Sequence, residues 1–171
     1  MGDALGCLLI GDGIAGWLEP LETLLRARGT RTVRIGGEGL LDAAQEGLRQ
    51  ARGTGGVCIA AEGEMWAAAL ALAAQLPVER IVLIAPEDRA ISMRDERSRR
   101  LQRLKSYTRR NLFFCISSIL LLETDAETQP DRRVDELCRR LCNASVQRAS
   151  LAYSASGYAC AAARFLCGEK I

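Results

Sequence analysis

Apolar and polar positions along the chain follow two alternating rhythms. Short runs with strand character stand at Leu5–Ile10, Arg31–Ile35, Val57–Ala61, Arg80–Ala85, Ser118–Glu123 and Val146–Ala152. Between and after them, patterns of helical period predict helices near Trp17–Arg28, Leu40–Arg52, Glu64–Leu76, Met93–Arg110, Pro130–Cys142 and Tyr158–Cys167. Ile81-Val82-Leu83-Ile84 and Ile119-Leu120-Leu121-Leu122 are apolar at every position, as strands covered on both faces must be. Val134, Leu137, Cys138 and Leu141 form one apolar stripe, with Pro130 and Asp131 suited to its start and Arg139 and Arg140 to its end. Gly29 suits a left-handed helix cap. Strict alternation of strand and helix implies a parallel sheet with right-handed crossovers and helices on both faces. The expected fold is therefore α/β: a three-layer sandwich around a six-stranded parallel sheet in the order 2-1-3-4-5-6. No Pro- or Gly-rich linker divides the chain, so residues 1–171 are expected to form one domain.

Composition narrows the chemistry. The 171 residues include no histidine. Of 23 basic residues only Lys105 and Lys170 are lysines, a bias that points to genome composition more than to function. A net charge of +2 favours no nucleic-acid partner. Leu5–Ile10 is too short for a signal-peptide core, and no apolar run approaches a membrane span. The seven cysteines are an odd number in a chain without a secretion signal, so they are expected to be reduced core residues in a cytoplasmic protein. Cys58, in mid-strand, is expected to be buried and inert. Cys138 and Cys142 lie one helical turn apart, but without histidine or paired C-x-x-C spacing they read as core and not as metal ligands. No metal or cofactor is expected.

Gly11-Asp12-Gly13-Ile14-Ala15-Gly16 follows a strand and precedes a helix, the context of the dinucleotide fingerprint. Two features oppose that reading. Pro20 would fall inside a helix begun at Gly13. The second strand also ends in Gly36-Gly37, where an acidic ribose ligand belongs, and Glu38 comes late. A tight glycine turn is the simpler reading.

A larger set of residues resembles the α/β-hydrolase superfamily. Trp17-Leu18-Glu19-Pro20-Leu21 looks like the helix after that family's oxyanion loop, with Pro20 starting the helix instead of breaking it. Val57-Cys58-Ile59-Ala60-Ala61-Glu62-Gly63-Glu64-Met65-Trp66, followed by an Ala-Leu-rich helix and Ile81–Pro86, has the cadence of the nucleophile elbow. Leu120–Glu127 with Pro130 resembles the strand and turn carrying the family's acid, and Ser154-Ala155-Ser156-Gly157 the turn carrying its histidine. The family's N-terminal antiparallel strands have no counterpart. Carried over position by position, the resemblance puts Gly63 at the nucleophile, Ala126 at the acid, Gly157 at the histidine and Ile10-Gly11 at the His-Gly of the oxyanion loop. It therefore implies a degenerate member without the triad, since no base near neutral pKa remains. Lysine could replace the base in principle, but neither Lys105 nor Lys170 ends a predicted strand.

Charge adds a last pattern. Asp12, Glu38, Glu62, Glu64, Glu87, Asp88, Asp125 and Glu127 all follow predicted strands, so a parallel sheet gathers them on one edge. Gly11, Asp12, Gly13, Glu62, Glu64, Asp88 and Asp125 are the candidate crevice residues. They could meet a hard cation or an amine, although helix N-termini attract carboxylates anyway. Residues 87–110 carry nine basic and four acidic residues. Within 87–115, a possible reduced lid, the helix near Arg94–Arg110 is expected to lay Leu101 and Leu104 inward and pair an arginine with Glu62, Glu64, Asp88 or Asp125. The functional expectation is a non-catalytic module binding an unknown small ligand or protein partner, with homo-oligomerisation possible. The alternative is a nucleotide-binding or metal-assisted enzyme using the acidic crevice.

Overall fold

The computed structural model describes residues 4–11, 16–36, 40–52, 55–89, 93–124, 132–151 and 155–171, with the backbone alone at 40, 124, 132, 133, 151 and 155. Among the described residues six strands alternate with six helices: β1 Gly6–Ile10, α1 Leu18–Ala27, β2 Arg31–Ile35, α2 Leu40–Ala51, β3 Val57–Glu62, α3 Trp66–Gln75, β4 Arg80–Ile84, α4 Glu96–Asn111, β5 Ser118–Thr124, α5 Arg132–Arg140, β6 Ser145–Leu151 and α6 Ala155–Leu166. Their sheet order is β2-β1-β3-β4-β5-β6, and every pairing is parallel. This is the expected order, and it places the switch point between β1 and β3.

Two-residue periodicity sends alternate side chains into two separate cores. Leu8, Ile10, Ile59, Ala61, Ile81, Leu83, Ile119 and Leu121 pack under α2, α3, α4 and α5. Cys7, Leu9, Cys58, Ala60, Val82, Ile84, Leu120 and Leu122 pack under α1 and α6. β1, β4 and the middle of β5 are thus buried on both faces, which is why their sequences read as uninterrupted apolar runs.

Local chemistry explains the helix ends. Pro20 is the third residue of α1, and the first intrahelical bond comes from the Leu21 amide to Trp17 O at 3.0 Å. The missing N–H of Pro20 is one of the donors that a first turn leaves unused anyway. At the other end Gly29 takes φ +78°, and the amides of Gly29 and Thr30 return to Arg26 O and Leu25 O. α4 begins three residues later than its periodicity suggests. The Asp95 carboxylate accepts the Ser98 amide at 2.8 Å and so sets the cap. Those hydrogen bonds also hold the Asp95 carboxyl below its ordinary pKa. The start of the stripe at Pro130 and Asp131 lies outside the described residues, but Val134, Leu137 and Leu141 are buried and Cys138 half-buried.

The cysteine expectation needs correction. All seven are free thiols, and Cys7, Cys58 and Cys115 are buried, but Cys142 and Cys160 are exposed. Cys142 falls just beyond the end of α5, where the stripe no longer faces the sheet. Burial pushes the Cys58 thiol up to about 12 and Cys7 well above the ordinary range, so neither is a nucleophile at neutral pH. No helix among the described residues is long and apolar enough to cross a membrane.

Candidate functional site

The carboxyl ends of β1, β3 and β4 carry Gly11, then Glu62-Gly63-Glu64, then Ala85-Pro86-Glu87-Asp88. The chain turns from β3 into a single 3-10 turn, Gly63–Met65, before α3 begins. Gly63 has φ +55°, in the left-handed region that a side chain rarely tolerates. Beside it Ala85 takes φ +44° at the end of β4, and the Glu87 amide donates to Gly63 O at 3.2 Å. Two left-handed residues on adjacent strand ends re-aim both chains into helix-bound loops. A non-glycine residue held so is a form of stored strain.

Glu62 reaches across the switch point. Its Oε2 accepts the indole N–H of Trp17 at 2.6 Å. It also lies over β1: a Cβ added to Gly11 would stand 2.5 Å from Glu62 Oε1. The Gly11 and Glu62 turns are therefore adjacent, as the strand order requires. Gly11 is glycine because a carboxylate occupies the space where its side chain would go.

The second group is a buried charge cluster. Lys105, fully buried on α4, donates from Nζ to Glu64 Oε1 at 2.9 Å and stands 3.1 Å from Asp88 Oδ1. Arg109, one turn along the same helix, pairs with the other Asp88 oxygen. Both cations lie against the Trp66 ring, at 6.0 and 5.7 Å from its centroid, and Trp66 Nε1 donates to Glu87 O at 2.8 Å. Thr108 Oγ1 donates to Ala67 O at 2.8 Å, tying α4 to the first turn of α3. Leu101 and Leu104 are buried beneath, so α4 packs against α3 as part of the helical layer.

The structure thus brings Gly11, Glu62, Gly63, Glu64 and Asp88 together. Asp12, Gly13, Asp125 and Ala126 lie outside the described residues. Gly157 departs from expectation: it is the third residue of α6 and not part of a turn before it. The expected arginine pairing is Arg109 with Asp88, but the principal cation is Lys105, which the sequence reading set aside. One signal could have found it. Leu101, Leu104, Lys105, Thr108 and Leu112 share one helical face, so a lysine stands in an otherwise inward stripe.

Chemically, this edge holds compensated charge. Glu64 and Asp88 are engaged by Lys105 and Arg109, and Glu62 by an indole N–H. No group of three His, Cys, Asp or Glu side chains among the described residues is placed to hold a metal ion.

No family model matches the sequence, and no curated protein does. Solved structures do. The thioesterase domain from the curacin biosynthetic pathway is similar with a TM-score of 0.66 and 12% identity, over 98% of this chain and 92% of that one. A serine hydrolase involved in carbazole degradation matches with a TM-score of 0.59 and 12% identity, over 98% and 93%. The enol-lactonase from Burkholderia xenovorans LB400 matches with a TM-score of 0.58 and 14% identity, over 98% and 90%. The chain has an α/β-hydrolase fold.

Proposed function

We propose that this hydrolase-fold chain binds a ligand or a protein partner without turning it over. One observation carries the reading: the left-handed residue of the elbow is Gly63, which has no side chain, in a chain with no histidine. Acyl transfer by a serine hydrolase, thioesterase or lactonase needs a nucleophile and a base within hydrogen-bond reach of it. Here the elbow offers neither. Glu62 adds support, since a carboxylate over Gly11 would repel the oxyanion that donors at this position would stabilise.

The same geometry disfavours the two alternative readings. A pyrophosphate approaching the Gly11 turn would meet the Glu62 carboxylate, and the strand order is not 3-2-1-4-5-6. A hard cation would have to displace Lys105 and Arg109 from Glu64 and Asp88.

The test is direct. Purified protein is expected to show no ester or thioester turnover above background, and a fluorophosphonate probe is expected to leave every Ser and Thr unlabelled by mass spectrometry. Gly63→Ser is expected to stay inactive, because the new hydroxyl lacks a base. Covalent labelling of the native chain would overturn the proposal. Thermal-shift screening against nucleotides, divalent cations and acyl compounds then identifies the ligand class, since a ligand raises the Tm only of the state it binds.

A further inference from the structure

At the other end of β3, away from Glu62 and Gly63, the molecule has a groove of about 350 Å³. Val57, the first residue of β3, lines it. Leu48 at the end of α2 and Leu76-Pro77 after α3 form its apolar walls, and Gln45, Gln75, Arg49 and Arg52 complete the lining. Leu76 is 40% exposed, an apolar side chain left uncovered on the groove wall. Pockets that hold small molecules begin at roughly 300 Å³ and combine apolar walls with a few polar groups. This groove matches that description.

The charges at its mouth are unequal. Arg49 is held by Glu46 at 2.7 Å, an interaction that lowers the Glu46 carboxyl to about 2. Glu79, beside Val57 in the backbone network, lies 3.9 Å from Arg80. Arg52 has no ion pair among the described residues. The carbonyl ends of α2 and α3 also converge here, and their partial negative charge disfavours a bare anion. The occupant must therefore gain its affinity from an apolar body and its orientation from an anionic end at Arg52. A polar ladder fixes one wall. Gln45 Nε2 reaches Gln75 Oε1 at 3.4 Å, and Gln75 Nε2 donates to Tyr107 OH at 3.0 Å.

From this we infer that the groove between α2 and the α3–β4 turn binds a short apolar chain ending in a carboxylate. The inference is independent of the missing triad, because it concerns the opposite end of the sheet.

Amide chemical shifts of the intact chain test it with three probes below their micelle-forming concentrations: decanoate, decanol and decyltrimethylammonium. Decanoate is expected to move the amides of Leu48, Val57 and Leu76 saturably, decanol to do so more weakly, and the cation least. Arg52→Gln is expected to weaken decanoate by about two- to fivefold, the range of an exposed ion pair, and to leave decanol unchanged. Leu76→Asp is expected to abolish both, and because Leu76 is exposed the fold should persist. Absence of saturable shifts at those amides overturns the inference, as does a cation that binds as well as the carboxylate. Shifts confined to Glu62 and Glu64 would also overturn it, while leaving the non-catalytic reading intact.

Discussion

Two charge clusters in this molecule look alike in a table of distances and differ in everything else. On α4, Lys105 meets Glu64 and Asp88 at 2.9 and 3.1 Å. On the edge strand β6, Arg148 meets Glu123 and Asp135 at 2.6 and 2.7 Å. The Lys105 side chain is fully buried, whereas that of Arg148 is 39% exposed. Water and salt can replace the partners of Arg148 at little cost, and nothing replaces those of Lys105. Proximity is thus a poor measure of what an ion pair contributes. Burial decides, because a charge without water depends wholly on its protein partners.

Lys105→Met should separate the clusters most strongly. It removes the cation that Glu64 pairs with and one of the cations at Asp88, and is expected to lower the unfolding free energy by about 3–5 kcal/mol. Urea denaturation measures it, and adding Glu64→Gln should restore much of the loss. A cost below about 1 kcal/mol would mean that the buried cluster behaves like a surface pair.

The buried thiols extend the contrast to alkaline pH. Folding raises the Cys58 pKa from an ordinary value near 9 to about 12. Its contribution to stability is therefore complete below pH 9 and is lost as pH rises from about 9 to 12, because the unfolded thiol ionises first. The expected slope is about 1 kcal/mol per pH unit for this one group. Denaturation midpoints between pH 8 and 10.5 should fall accordingly, and Cys58→Ala should flatten that part of the profile.

Arg148→Ala should have the smallest effect, about 0–1 kcal/mol, and 1 M salt should shrink it further. Salt should leave the Lys105→Met difference nearly unchanged. Equal salt sensitivity in both variants would break the comparison.

Much of this architecture was written locally in the chain. The six strands and six helices stand within a few residues of where hydrophobic rhythm places them, since period two and period 3.6 are imposed by each backbone on its own side chains. The all-parallel sheet follows, because alternating strands and helices with right-handed crossovers leave few ways to cover both faces. The turn between β3 and α3 was legible for the same reason: Ala61-Glu62-Gly63-Glu64 joins a strand to a helix, and glycine is the residue that turn tolerates. Where α4 begins was not read, although Asp95 and Ser98 held that information locally.

Only the tertiary structure decided which carboxylates meet which cations. Trp17 and Glu62 are 45 residues apart, and Lys105 and Glu64 are 41 apart. Their meeting depends on how α1 and α4 are set against the sheet to within a fraction of an ångström. The sequence could say that carboxylates gather at one edge and that a basic helix comes near it. It puts Lys105 in an inward stripe of α4, but which carboxylates that lysine meets is decided by the packing around it and not by the residues beside it in the chain.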